Sequence, residues 1–133
     1  MSHRLTFTKE DGHLHFRVEG PNTVAATRGY LAEMRETCQR EKCTVALVEE
    51  NLTGPSINLL EVFAIVSSEV PKAWPWVTQV AFVDVNPEHS WENRAFAEDV
   101  AINRGLMMRV FQTVADAKEW LLKTAAERIT AQK

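Results

Sequence analysis

Apolar and polar positions change period several times along this chain, and the changes mark its elements. Residues 4 to 19, RLTFTKEDGHLHFRVE, alternate about Asp11-Gly12. That dipeptide suits a turn whose two central residues need positive φ, so a hairpin is expected. With Glu10 facing His13 across the turn, Leu5, Phe7, Leu14, Phe16 and Val18 share one face, and Thr6, Thr8, Glu10, His13, His15 and Arg17 share the other. The first face is expected in the core and the second in water, as in an antiparallel pair covered on one side. Pro21-Asn22-Thr23 stops the strand and offers a cap, and Val24, Leu31, Met34 and Cys38 then recur at helical spacing up to about Lys42. Gly29 inside that helix costs about 1 kcal/mol relative to Ala, which a close neighbouring backbone would explain.

CTVALVEE, residues 43 to 50, is short, β-branched and apolar at most positions, the pattern of a central strand. NLTGPSINLLEVF follows, and the spacing predicts a second helix from about Ile57 to Glu69 with Ser56 as its N-cap. Pro71, Pro75 and the pair Trp74 and Trp76 interrupt the pattern before VTQVAFVDV, residues 77 to 85, a further strand ended by Asn86-Pro87. A third helix is expected from about Trp91 to Asn103, capped by Ser90 and closed by Gly105 in a left-handed conformation. LMMRVF, residues 106 to 111, predicts a short strand. Thr113-x-x-Asp116 then resembles a capping box ahead of a last helix whose apolar face is Val114, Ala117, Trp120, Leu121 and Ala125. Residues from about 125 to 133 are expected to form a loosely ordered tail.

The order β-β-α-β-α-β-α-β-α implies one α/β domain over residues 1–133. Its mixed sheet begins with the hairpin of residues 1–20 and continues with parallel strands joined by right-handed crossovers. The polar outer face of the hairpin places the helices mostly on one face.

Composition narrows the function classes. A chain of 133 residues with 45% hydrophobic content can bury a core without metals or disulfides. Its net charge is -3 and its 15 Lys and Arg are dispersed, so the basic footprint required by a phosphate backbone is missing and nucleic acid is not an expected partner. The N-terminal segment MSHRLTFTKEDG lacks the apolar core of a secretion signal. No apolar run approaches the roughly 20 residues of a membrane span, so a cytoplasmic protein is expected. Cys38 and Cys43 lack Cys-x-x-Cys spacing and are read as reduced thiols.

Candidate chemistry gathers at the carboxyl ends of the parallel strands, where ligands sit in open α/β sheets. Thr53, Gly54 and Ser56 form a candidate switch or ligand site at the start of the second helix. Glu50, Asp84 and His89 form a candidate polar crevice beside them, flanked by Glu49 and Asn86. Capping and strand-end solvation account for the same residues without a ligand. Asp84 with His89 has the makings of an acid-base pair. No nucleophile elbow, glycine-rich phosphate loop or zinc spacing accompanies it, so no enzyme and no cofactor is expected. Glu10, His13 and His15 could meet a metal on one hairpin face, but read as polar strand residues, and no metal is expected. The second helix carries more apolar residues than one stripe needs, with Ile65 placed toward the side of Asn58, Glu61 and Ser68. Ile65, Trp74 and Trp76 are therefore candidate interface residues.

The element order, the hydroxyls ahead of the second crossover helix and the segment FAEDVAINRGLMMRVFQTVADAKEWLL, residues 96 to 122, together resemble the SpoIIAA-like or STAS-like domain family, in particular its small bacterial members. The resemblance implies a non-enzymatic regulatory domain that binds a protein partner or forms a homodimer through the second helix and the loop before it. In regulatory members a Ser or Thr of an Asp-Ser-(Ser/Thr)-Gly motif is phosphorylated. Thr53-Gly54 matches its last two positions, Asn51 and Leu52 replace the first two, and Pro55 follows. CRAL-TRIO lipid-exchange domains share the broad fold. They imply the alternative of a small-ligand or lipid carrier, whose apolar cavity Met34, Met107 and Met108 could line.

Overall fold

Gly12, at φ 84, closes the turn between β1 (Arg4–Glu10) and β2 (His13–Pro21) in the computed structural model, which describes residues 3–131. Glu10 pairs with His13, Phe7 with Phe16 and Leu5 with Val18, the register that the alternation predicts. Helix α1 (Val24–Glu41) is capped by Thr23, whose hydroxyl accepts the Ala26 N–H at 3.1 Å, and ends on Lys42 in the left-handed region. Next come β3 (Val45–Thr53), α2 (Leu59–Ala73), β4 (Gln79–Asp84), α3 (Trp91–Asn103), β5 (Met107–Phe111) and α4 (Val114–Ala131).

The five strands lie in the order β1-β2-β3-β4-β5, with β1 antiparallel to β2 and every later pair parallel. Each crossover therefore steps to the next strand in the same direction. Crossovers of one hand then place α1, α2 and α3 on the same face. Among the described residues no strand follows α4, which folds over the opposite face. Two cores result. Phe16, Tyr30, Met34, Val48, Leu52, Val80 and Ala101 belong to the three-helix side, and Leu47, Ala81, Val83, Ala117 and Leu121 to the α4 side.

α4 overturns one expectation. His13 and His15 lie on the face assigned to water, yet both are buried, His15 to 1% exposure. β2 is an interior strand, and Lys118 of α4 is close enough to bias both imidazoles electrostatically. Burial lowers the pKa of each ring. His15 Nε2 sits 2.9 Å from Glu49 Oε1, while Glu10 remains exposed, so Glu10, His13 and His15 do not assemble as a metal set.

Other departures are local. β3 runs on to Thr53, past the expected end at Glu50, because Glu49 to Thr53 continue the ladder with Arg17 to Pro21. Helix α2 starts at Leu59, and Asn58 rather than Ser56 is its N-cap, accepting the Glu61 N–H at 2.8 Å. Gly29 makes room for the His3 imidazole rather than for a backbone; a Cβ there would lie 2.7 Å from His3 Cε1. α4 continues through residues 125–131, where a loose tail was expected, and its Arg128 donates to Gln79 Oε1 at 2.6 Å. Residues 132 and 133 of that expected tail lie outside the described residues. Among the described residues, no helix is long and apolar enough to cross a membrane.

Candidate functional site

β3 and β4 lie side by side and parallel, with Glu50 opposite Asp84 at their carboxyl ends. The loop after β4 then folds back on itself. Asn86 N–H donates to Asp84 Oδ1 at 2.9 Å and Glu88 N–H to Asn86 Oδ1 at 2.9 Å, two side-chain-capped turns of the kind Asp and Asn favour. These turns return His89 to the strand end. Its Nδ1 lies 2.7 Å from Asp84 Oδ2 and its Nε2 lies 2.8 Å from the Gly54 carbonyl. The Asn22 and Asn86 amides, 3.3 and 3.4 Å from Nε2, have closer acceptors in the carbonyls of Pro55 and Leu52. Each ring nitrogen thus has an oxygen within hydrogen-bond distance. Arg94, one turn into α3, adds a cation, with Nε 3.6 Å from Asp84 Oδ2 and Nη2 donating to the His89 carbonyl at 2.8 Å.

Glu50 sits differently. The Tyr30 hydroxyl of α1 donates to its Oε2, and no partner reaches its Oε1 among the described residues. The side chain is 7% exposed. Burial raises its pKa from the ordinary 4.5 to about 7, against the opposing pull of the Tyr30 hydrogen bond. Burial and the neighbouring Glu50 also push the Tyr30 phenol well above its usual range. Glu50, Asp84 and His89 hold their ligand-type atoms within 4.8 Å of one another. Both His89 nitrogens face oxygens of the protein at hydrogen-bond distance in this arrangement.

The cluster forms the polar end of a cavity of about 180 Å³ between the sheet and the three helices. Its remaining walls are mostly apolar: Met34 from α1, Val62, Val66 and Val70 from α2, and Val80, Phe82 and Met108 from the strands. Met34 and Met108 thus line it as expected, whereas Met107 alternates to the outside and is half exposed. At the rim Arg28 and Arg35 of α1 reach Glu69 of α2 at 3.0 and 3.6 Å.

The strand-end residues Glu50, Asp84 and His89 therefore come together, while the junction residues separate. Ser56 lines the cavity and its Oγ accepts the Ser90 N–H at 2.9 Å, tying the loop to the start of α3. Thr53 and Gly54 are exposed; the Thr53 hydroxyl turns to the Gly20 carbonyl, and Gly54 contributes only its carbonyl to His89. The three interface candidates also divide. Ile65 is 3% exposed and lines the cavity, so it is not available to a partner, while Trp74 and Trp76 are 63% and 40% exposed. Leu60, at 82%, occupies the outer side of α2.

Tyr30 and Arg94 were absent from the sequence reading of the site. Spacing carries a signal for both: Tyr30 falls on the Ala26, Met34, Cys38 stripe of α1, and Arg94 lies four residues after the Ser90 cap. Comparison with known proteins gives no match, either to a protein-family model or to a curated protein.

Proposed function

We propose that the protein is a non-catalytic binding domain that holds a small, largely apolar molecule between its sheet and helices α1 to α3. The reading is carried by one observation: an apolar cavity of about 180 Å³ that ends in the buried cluster of Glu50, Asp84 and His89. Binding sites of this form combine an apolar wall with a few convergent polar groups that fix orientation. An apolar cavity of about 150 Å³ accommodates benzene, so the scale fits one ring or a short chain rather than a long acyl tail. The resemblance to STAS-like and CRAL-TRIO domains supports the same reading, since the latter enclose apolar ligands. The test is native mass spectrometry of the gently purified protein beside a Val66→Phe variant that fills the cavity. The expected result is a reproducible adduct on the wild type that the variant lacks. A clean unliganded mass, together with no shift in melting temperature by any small aromatic or aliphatic compound, removes the reading.

A second reading, a regulatory domain that docks a protein partner or a second copy on α2, is favoured by the outward apolar residues Leu60, Phe63, Trp74 and Trp76. Solution mass with hydrogen exchange over residues 59–76 tests it. A monomer whose α2 amides exchange alike at every concentration counts against self-association.

A further inference from the structure

We infer that the polar end of the cavity is a head-group site for a neutral hydroxyl, so that the ligand class is a small apolar alcohol. This rests on the cavity being a binding site, as proposed above, and adds which head group it accepts.

The argument is one of unused hydrogen-bonding capacity. Both Asp84 oxygens have partners: Oδ1 takes the Asn86 N–H and Oδ2 lies against the His89 ring, with Arg94 beside it. His89 is engaged at both nitrogens. Tyr30 has spent its only proton on Glu50 Oε2. What remain are Glu50 Oε1, one oxygen of a nearly fully buried side chain facing a largely apolar space, and Arg94 Nε, buried with no hydrogen-bond partner among the described residues. A buried polar atom without a partner costs free energy, and a hydroxyl at the end of an apolar body can donate to the first and accept from the second.

Charge selects among donors. The charged and titratable groups facing Glu50 are Tyr30 from α1, Asp84 from β4, His89 from the loop and Arg94 from α3. The two carboxylates are faced by the Arg94 guanidinium and the His89 ring. An ammonium or carboxylate head brings a further charge into a largely apolar space and costs more to bury there than a neutral hydroxyl. At the rim the Glu69 carboxylate meets three cations, Arg28, Arg35 and Lys72, so that end carries net positive charge.

The experiment uses the full chain and four probes of one size: toluene, benzyl alcohol, benzylamine and benzoate, titrated at pH 8 and followed by amide chemical shifts and calorimetry. Benzyl alcohol is expected to bind about tenfold more tightly than toluene, the scale of a hydrogen bond to a charged group, and more tightly than either charged probe. In Glu50→Gln, toluene affinity is expected to persist while the advantage of the alcohol shrinks, because a neutral amide replaces the charged acceptor. Toluene binding as well as benzyl alcohol overturns the head-group site and leaves the cavity reading standing, as does tighter binding of benzylamine or benzoate. Failure of all four probes overturns both. The comparison among probes on the wild type decides the matter even where the variant folds poorly.

Discussion

Replacing Glu50 by Gln is expected to stabilise the protein increasingly as pH rises from 4.5 to about 7. Burial holds the Glu50 carboxyl at a pKa of about 7, raised from the ordinary 4.5. Between those two values the unfolded chain has released this proton while the folded chain still holds it. Folding therefore takes up a proton, and stability falls as pH rises through the window, levelling off above about 7. At about 1.4 kcal/mol per pH unit the full decline is about 3 kcal/mol. Gln has the same shape and does not titrate, so its variant lacks that decline. His13 and His15 act in the opposite sense: burial lowers their pKa, so the stability they give is present above 6.5 and is lost as pH falls. They remain in both proteins and cancel in the difference. Urea unfolding followed by tryptophan fluorescence at pH 5, 6, 7 and 8.5 reads the effect. The free-energy gap between variant and wild type should grow by about 3 kcal/mol in favour of the variant from pH 5 to pH 8.5. A gap that does not change with pH refutes the reasoning, since it means that Glu50 titrates alike in the folded and unfolded chains.

Further outcomes follow from the same geometry. Tyr30→Phe removes the hydrogen bond that opposes burial, so the Glu50 carboxyl should titrate above its wild-type midpoint of about 7 in carbon-detected NMR; an unchanged midpoint contradicts this. Ile65→Ala should cost about 2–5 kcal/mol in chemical unfolding, as for a core truncation, while Leu60→Ser on the outer side should stay within about 0.5 kcal/mol. Asn58→Ala should cost about 1 kcal/mol and speed hydrogen exchange at the Glu61 amide, whereas Ser56→Ala should leave that amide protected.

How far the sequence reveals this structure depends on whether the information is local. The hairpin register follows from alternation about Asp11-Gly12, and the caps Thr23, Ser90 and Thr113 follow from their side chains. Strand-end logic brings Glu50, Asp84 and His89 to one place because parallel neighbours end together. The face of α2 is a different matter. Apolar residues at 59, 60, 62, 63, 65, 66 and 70 define two competing stripes. The structure turns Val62, Ile65, Val66 and Val70 inward and leaves Leu60 and Phe63 outside, where Arg104 covers the Phe63 ring at 5.3 Å. Periodicity alone could not choose between them. The burial of His13 and His15 depends on where a final helix returns, which no local pattern encodes. Ser56 and Asn58 both suit a cap, and what separates them is the distant Ser90 N–H that claims the Ser56 hydroxyl.

Strand β3 sends Ala46, Val48 and Leu52 to the three-helix layer and Val45 and Leu47 to the α4 layer, and Glu50 shares the parity of the first set. The chamber and its carboxyl are thus a matter of odd and even numbering. Deleting a single residue within β3 ahead of Glu50 would invert that parity, delivering Asn51 to Tyr30 and Asp84 and sending Glu50 to the opposite layer. A frame error of one position would abolish the site while leaving the composition of the strand almost intact.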